Sequence, residues 1–475
     1  MYSNQTFEIY CGGKFIQTSN ILEVKNPFDN SKVAKTFLAG VPEFELAISA
    51  AQSVEEELAA IPAYIRYKVL KQISEELFAQ RQQFAELITF ESGKPIRYAL
   101  AEVDRSIQTF SVAAEESKRL PSEHIQVDWT PAGVGKEGIL KYFPIGIVAG
   151  ISPFNFPLNL AIHKIAPAIA SGCPIILKPS SLTPLSTLML AQIIDRTALP
   201  KGAVSILPMD RQTGNKLVTD SRISLLSFTG SPEVGWKMKS EAGKKKVVLE
   251  LGGNAGVIVS HGADLELAAA KCVVGGFAYS GQVCIHTQRI YVLEYLFEEF
   301  TAKFIEKMRL LKVGKPIDPD TDITVMIDEA NAIRVESWID DAAKAGAKVL
   351  AGGKREGSFM QPTAITGSHE DMLVCAGEVF GPVVVIEKVN SFEEAINRVN
   401  CGRFGLQAGV FTDSIGEMNL AFNKLHVGGV IINDVPTFRV DHTPYGGVKD
   451  SGLGREGVKY AIMDMLEPKL LVKNC

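Results

Sequence analysis

Between Ile145 and Gly253 the chain repeats one pattern: a short, unbroken apolar run, a bounding Gly or Pro, an amphipathic stretch, then the next run. The runs are Gly146-Ile147-Val148-Ala149-Gly150, Pro174-Ile175-Ile176-Leu177-Lys178, Val204-Ser205-Ile206-Leu207, Leu225-Leu226-Ser227-Phe228 and Val247-Val248-Leu249-Glu250. A strand with one wet face alternates polar and apolar side chains. A run that is apolar at consecutive positions needs cover on both faces, and helices packed on either side of parallel strands supply it. This part of the chain therefore calls for an α/β fold built on a parallel sheet. Ligands of such sheets bind beyond the carboxyl ends of the strands, so the residues that follow each run are the first place to look for chemistry.

A second α/β series starts after Gly253, with Gly256-Val257-Ile258-Val259 and Val383-Val384-Val385-Ile386 as its clear strands, which puts a boundary near Gly252-Gly253. At roughly 100–200 residues per domain, a chain of 475 residues makes two or three. Ahead of the first series, short alternations up to about residue 40 read as edge strands with turns. Helical periodicity then runs from Pro42 to about Glu116, broken at Ser92-Gly93-Lys94-Pro95. Residues 121–141 are polar and Gly-rich, as a hairpin leaving the core would be. The last stretch, Leu466 to Lys473, reads as a strand with no partner left in its own chain, so it and the hairpin are expected to complete a neighbour's sheet.

A net charge of −5, with Lys244-Lys245-Lys246 as the one basic block, gives no field of the kind that draws nucleic acid. The residues from Met1 to Glu8 lack the basic and apolar segments of a secretory leader, and no run of about 18 apolar residues follows. A cytoplasmic protein with no membrane partner is expected. Seven cysteines without paired spacing argue against a disulfide framework and against a metal site.

One of those cysteines, Cys284, lies in Gly281-Gln282-Val283-Cys284-Ile285-His286-Thr287-Gln288-Arg289, a Gly-flanked segment that leaves a thiol accessible. Alone it reads more readily as a small buried hydrophobe. Asn155, in Pro153-Phe154-Asn155-Phe156-Pro157, follows a strand end, either as a turn residue or as a neutral donor to an oxyanion. Lys178 ends a strand and precedes a helix start that suits a nucleotide's ribose or phosphates. Phe228-Thr229-Gly230-Ser231-Pro232-Glu233-Val234-Gly235 is a sound helix start, and it could also offer backbone N–H groups to a pyrophosphate, although it lacks GxGxxG. Glu250 closes an apolar strand, where burial would raise its pKa toward that of a base working near neutrality. Glu378, in Glu378-Val379-Phe380-Gly381-Pro382, is a second carboxylate beside a strand.

Taken in order, PFNFP, KPSSLTP, FTGSPEVG, ELGG, GQVCIHTQR, EVFGP and PYGGVKDSGLGREG (Pro444 to Gly457) resemble the NAD(P)-dependent aldehyde dehydrogenases, over nearly the whole chain. The resemblance implies an aldehyde dehydrogenase-like fold. A Rossmann-type cofactor domain would take residues 1–120 and 142–252, an α/β catalytic domain 253–449, and a small β oligomerisation extension 121–141 and 457–475, in a homodimer or homotetramer. It also implies the chemistry. Cys284 attacks the aldehyde, the Asn155 amide and the Cys284 N–H hold the oxyanion, hydride passes to the nicotinamide, and Glu250 activates the water that hydrolyses the thioester. Phe154, Lys178, Ser181, Gly230, Ser231, Glu378 and Phe380 are the implied cofactor contacts, with Lys178 and Glu378 on the two riboses. Asn433 is the implied support of the site.

One position departs from many NAD-preferring relatives, which place a glutamate where Ser181 stands. Without that charge a 2′-phosphate is not repelled, so NADP is expected to be tolerated beside NAD, with preference open. For the substrate, Arg105, Asn159, His163, Arg289 and Arg439 occupy positions that resemble the pocket of relatives acting on small polar or anionic aldehydes. Two other readings stay open, a CoA-acylating relative and a catalytically silent structural or binding member. Glu250 speaks against the first, and Cys284, Glu250, Asn155, Lys178 and Glu378 together speak against the second.

Overall fold

The computed structural model describes residues 5–474. The five apolar runs form adjacent parallel strands in the order Val204–Ile206, Ile175–Lys178, Ile147–Ile151, Ile223–Thr229, Lys246–Glu250. Every residue of the middle strand is buried, as a run that is apolar at consecutive positions demands. Antiparallel strands close both edges: Ile9–Cys11, with Lys14–Ile16 outside it, and Gly452–Leu453. From Ile147–Ile151 the chain builds first to one side and then, from Ile223, to the other. Such a reversal opens a crevice beyond the carboxyl ends of the strands. Here it lies between the turn after Ile151, which carries Asn155, and the turn after Thr229, which carries Gly230 and Ser231.

The helical layer is four helices, Val41–Ala60, Ala63–Ala79, Arg81–Ser92 and Ile96–Ser117. The break at Ser92 is a left-handed cap on Gly93, with φ 69°, a conformation that costs glycine little. One face of the first sheet packs through Val148, Ile175 and Leu225 against a core shared with the helix Asn159–Ser171, which is buried at all its positions. The other face, through Ile147, Leu226 and Leu249, packs on Phe44, Ile48 and Ala51 of the first helix.

The second sheet has seven strands, ordered Lys348–Ala351, Thr363–Thr366, Val383–Val389, Thr287–Leu293, Ala255–Val259, Gln407–Phe411, Gly429–Ile432. Its strands pair in parallel except Lys348–Ala351 at the edge. A third, antiparallel sheet joins Leu466–Asn474, Lys136–Pro144 and Ser122–Gln126.

The third sheet corrects one expectation. The final strand does have a partner in its own chain: Leu466 to Asn474 pair residue for residue with Pro144 to Lys136. Ser122–Gln126 covers only one edge of Lys136–Pro144 and only part of its length, so the other edge was open, and hydropathy does not say which edge a strand meets. The segment 457–475 is also not all extension. Its helix Val458–Asp464 buries Val458 and Ile462 in the core of the first sheet. Among the described residues no helix is long and apolar enough to cross a membrane.

Candidate active site

The loop bearing Cys284 is held under strain. Tyr279, Ser280 and Gly281 have φ of 50°, 52° and 69° in succession, a left-handed run that non-glycine residues adopt at a cost. Two tethers keep it there. Tyr279 Oη donates to Ser92 O at 3.3 Å, and Ser280 Oγ donates to Thr324 O at 2.7 Å. Gly281 has no room for a side chain, since a Cβ would stand 2.1 Å from Gly381 O. On the other side, a Cβ on Gly253 would stand 2.0 Å from Cys284 O, so the nucleophile loop lies backbone to backbone on the start of the second sheet.

Cys284, Asn155 and Glu250 line one cavity of about 580 Å³. The Asn155 amide donates to Gln282 O at 3.1 Å, which fixes its nitrogen against the Cys284 loop. Glu250 is buried, and neither carboxylate oxygen has a hydrogen-bond partner. Burial, helped by the nearby Glu456 carboxylate, pushes its pKa well above the usual carboxylate range, toward that of a base working near neutrality. Burial also pushes the Cys284 thiol up to about 11, against a hydrogen bond with Tyr445 that lowers it. Cys284 Sγ and Tyr445 Oη are 3.2 Å apart. The resting nucleophile is therefore a thiol.

The same cavity continues past Phe154, Gly230, Ser231, Glu378 and Phe380. Phe154 and Phe380 meet edge to face at 5.9 Å. Glu378 accepts from Gly253 N at 2.9 Å, burial pushes its carboxyl up to about 7, and a Cβ on Gly252 would overlap it. Lys178 and Ser181 stand outside the lining of this cavity. Lys178 ends its strand level with Ile151, and Ser181 Oγ donates to Met209 O at 3.2 Å. Asn433, with φ 54°, accepts from Thr412 N through its side chain.

Of the five substrate candidates, three come together and two do not. Arg105, His163 and Arg439 converge, but on an internal carboxylate, Asp441. Arg289 corrects the expectation. Its guanidinium is buried and donates to Asn254 Oδ1 and O and to the carbonyls of Arg398 and Val399, so it ties backbone together away from the cavity. Asn159 is a second correction. It is fully buried in the first turn of its helix, with its amide on Thr109 Oγ1, while Leu160 faces the cavity.

Four more side chains belong to this centre. Tyr445 touches the nucleophile. Arg439 stacks on the Tyr445 ring, 3.7 Å from its centre, and bonds Glu456 Oε2 at 2.9 Å. Lys164 meets Glu456 Oε1 at 3.3 Å. Burial would raise Glu456, but Lys164, His163 and Arg439 outweigh it and hold the carboxyl down at about 2. The fourth is Asp441. Beneath Phe156, the fully buried pair Lys94–Glu102 anchors the Asn155 turn, because Glu102 Oε1 accepts from Leu158 N and Asn159 N. Tyr445 and Glu456 lie inside the PYGGVKDSGLGREG stretch, which was the one available pointer to them.

Comparison with known proteins agrees over the whole length. The profile described as the aldehyde dehydrogenase family matches residues 15–471. A 3-sulfolactaldehyde dehydrogenase of Priestia aryabhattai is 40% identical over 469 residues, 98% of each chain. The crystal structure of aldehyde dehydrogenase 21 from Physcomitrella patens, in complex with the reaction product succinate, superposes with a TM-score of 0.97 at 45% identity, covering 99% of this chain and 98% of that one. That of a glyceraldehyde-3-phosphate dehydrogenase from Methanocaldococcus jannaschii, complexed with NADP, gives 0.92 at 37%, covering 96% and 99%.

Proposed function

The chain belongs to the aldehyde dehydrogenase family, and we propose that it oxidises a small aldehyde with an anionic distal group to the carboxylic acid, with NAD or NADP as acceptor. The observation that carries the hydrolytic half of this reading is Glu250, a buried carboxyl with both oxygens unpartnered in the cavity of Cys284 and Asn155. A carboxyl so placed is open to a water or a substrate in that cavity.

In this mechanism Cys284 Sγ loses its proton and attacks the aldehyde carbon, and the oxyanion is held by Asn155 Nδ2 and the Cys284 N–H. When bound, the nicotinamide cofactor supplies the hydride acceptor that leaves the carbon as a thioester. The residues present fit that group. Glu378 offers buried oxygens to ribose hydroxyls, Gly252 leaves the space a Cβ would fill, and the helix after Ser231 turns its N-terminus to the crevice. Lys178 and Ser181 stand at the same strand ends and are the proposed adenosine contacts. Glu250 then takes a proton from the water that attacks the thioester, and the thiol is regenerated. Glu456, ionised and paired to Lys164 and Arg439, keeps Glu250 basic enough to accept it.

Support for an anionic substrate comes from Arg105 and Arg439, set one aromatic ring away from the oxyanion turn and the nucleophile respectively. The succinate product and the sulfonated aldehyde named for two relatives agree with it. A cytoplasmic homo-oligomer remains the expectation for its setting.

Formation of NADH or NADPH from a panel of aldehydes, with and without CoA, tests the reading. Turnover without CoA, favouring anionic aldehydes, is expected. Cys284→Ser should abolish turnover while cofactor still binds, because a serine hydroxyl gives up its proton far less readily than even a raised thiol and is the weaker nucleophile. Undiminished turnover in that variant would exclude the mechanism.

A further inference from the structure

The structure assigns to Asp441 the task of setting the charge of the anion seat, so that the enzyme takes a singly charged carboxylate or sulfonate and turns away a doubly charged phosphate. This rests on the proposed anionic substrate and narrows it.

Asp441 already occupies the cations expected to read the substrate. Its Oδ1 accepts from Arg105 Nη2 at 2.7 Å and from His163 Nε2 at 2.8 Å, and its Oδ2 accepts from Arg105 Nε at 3.3 Å. Arg439 Nε stands 3.6 Å from Oδ1. The two guanidiniums beside Asp441 thus carry two positive charges against its one negative charge, one net positive charge at the seat, and beyond Arg439 the pair Glu456–Lys164 continues the row with one charge of each sign. Burial and the Arg439 charge lower the His163 pKa, against the pull of Asp441. The row is not saturated. Arg439 Nε is a buried donor without a hydrogen-bond partner, and the Arg105 side chain remains 28% exposed.

A monoanion entering this seat brings the row to neutrality. A dianion would leave it negative, facing Asp441 and Glu456 in a buried place, where like-charge juxtaposition is costly. Without Asp441 the row would carry two positive charges and suit a dianion instead. The names of the relatives do not decide the matter, since they span a sulfonate, a carboxylate product and a phosphate. The internal carboxylate of this chain does.

The test compares kcat/KM for three aldehydes of equal length ending in a methyl, a carboxylate and a phosphate group, at pH 6 and pH 8, in the wild type and in Asp441→Asn. In the wild type at pH 8 the carboxylate should exceed the phosphate by about tenfold or more, the size of effect that one unit of mismatched charge gives. At pH 6 that gap should narrow several-fold, because a phosphate with a second pKa of about 6 gains a proton while a carboxylate keeps its charge. Taking a ratio of two substrates cancels enzyme titrations that slow both alike, while a proton gained by His163 beside Asp441 would favour the more highly charged phosphate and so narrow the gap in the same direction. Asp441→Asn should swing the ratio toward the phosphate by about tenfold or more. A wild-type ratio that ignores pH overturns the proposal, and so does a folded Asp441→Asn with an unchanged ratio. If that variant does not fold, the wild-type pH arm decides alone. If the wild type uses the methyl-ended aldehyde as well as either anion, the anionic substrate itself is wrong and the role of Asp441 falls with it.

Discussion

Taking one oxygen from Tyr445 tests how the nucleophile is held. Tyr445→Phe keeps the buried ring and its stack under Arg439 and removes only the hydroxyl 3.2 Å from Cys284 Sγ. A hydrogen bond to a charged group is worth about 1.5–3 kcal/mol, and one between neutral groups about 0.5–1.5. The hydroxyl therefore favours thiolate over thiol by roughly 1–2 kcal/mol, or about one pKa unit. Burial already pushes the thiol up to about 11, and the substitution moves it further in the same direction. At pH 8 the thiolate is the minor form, so its fraction should fall by about tenfold. The assay is alkylation of the unliganded enzyme by iodoacetamide, followed by mass spectrometry on the Cys284 peptide because Cys401 is exposed and Cys284 only partly so. The pH–rate profile should move up by about one unit with its plateau unchanged. A rate at pH 8 equal to or above that of the wild type would refute the donor role. A uniform loss at every pH would show that the ring had moved.

Glu250→Gln should leave the first hydride transfer largely intact and trap the thioester, giving a single-turnover burst of reduced cofactor and then a stall; equal loss of burst and steady state would contradict the role. Ser181→Glu should shift preference toward NAD, as a carboxylate facing a 2′-phosphate costs on the order of several kcal/mol, and an unchanged NADP-to-NAD efficiency ratio would place Ser181 away from the ribose. Arg105→Met should lower kcat/KM for an anionic aldehyde by about 10–100-fold, one charge-assisted hydrogen bond, and an equal loss on propionaldehyde would make the arginine structural. Arg439→Ala should act on stability as well, at about 1.5–3 kcal/mol by denaturant unfolding, because it takes one charged hydrogen bond from Glu456, which keeps Lys164, while Asp441 keeps Arg105 and His163; an unaltered midpoint would mean that the row relaxes into solvent.

Asn155, Glu250 and Cys284 were legible because each ends or precedes an element whose own signal is local: a buried strand, a proline-bounded turn, a glycine-flanked loop. The same holds for the parallel sheet, since an apolar run needs no distant partner to be recognised. Asp441, Glu456 and Lys164 had no such signal. Asp441 finds Arg105 and His163 at separations of 336 and 278 residues, and in one sequence a charged residue looks the same whether it ends in water or in a core. Arg289 misled for the same reason in reverse: its nearness to Cys284 along the chain says nothing of the carbonyls that claim it. The last strand was legible as a strand but not in its pairing, because edges carry no sequence label.

Lys164 sits in a helix buried at every position, and its carboxylate partner Glu456 arrives 292 residues later. At about 5–20 residues per second of synthesis, the lysine leaves the ribosome roughly 15–60 s before its counter-ion. Closing that core earlier would bury a bare ammonium, at several kcal/mol, and the sheet beside it would still lack the edge strand Gly452–Leu453. The N-terminal half thus has no reason to seal itself in advance. Its last bolt is carried at the far end of the message, and a half-made chain has no finished chamber in which its thiol could meet an aldehyde.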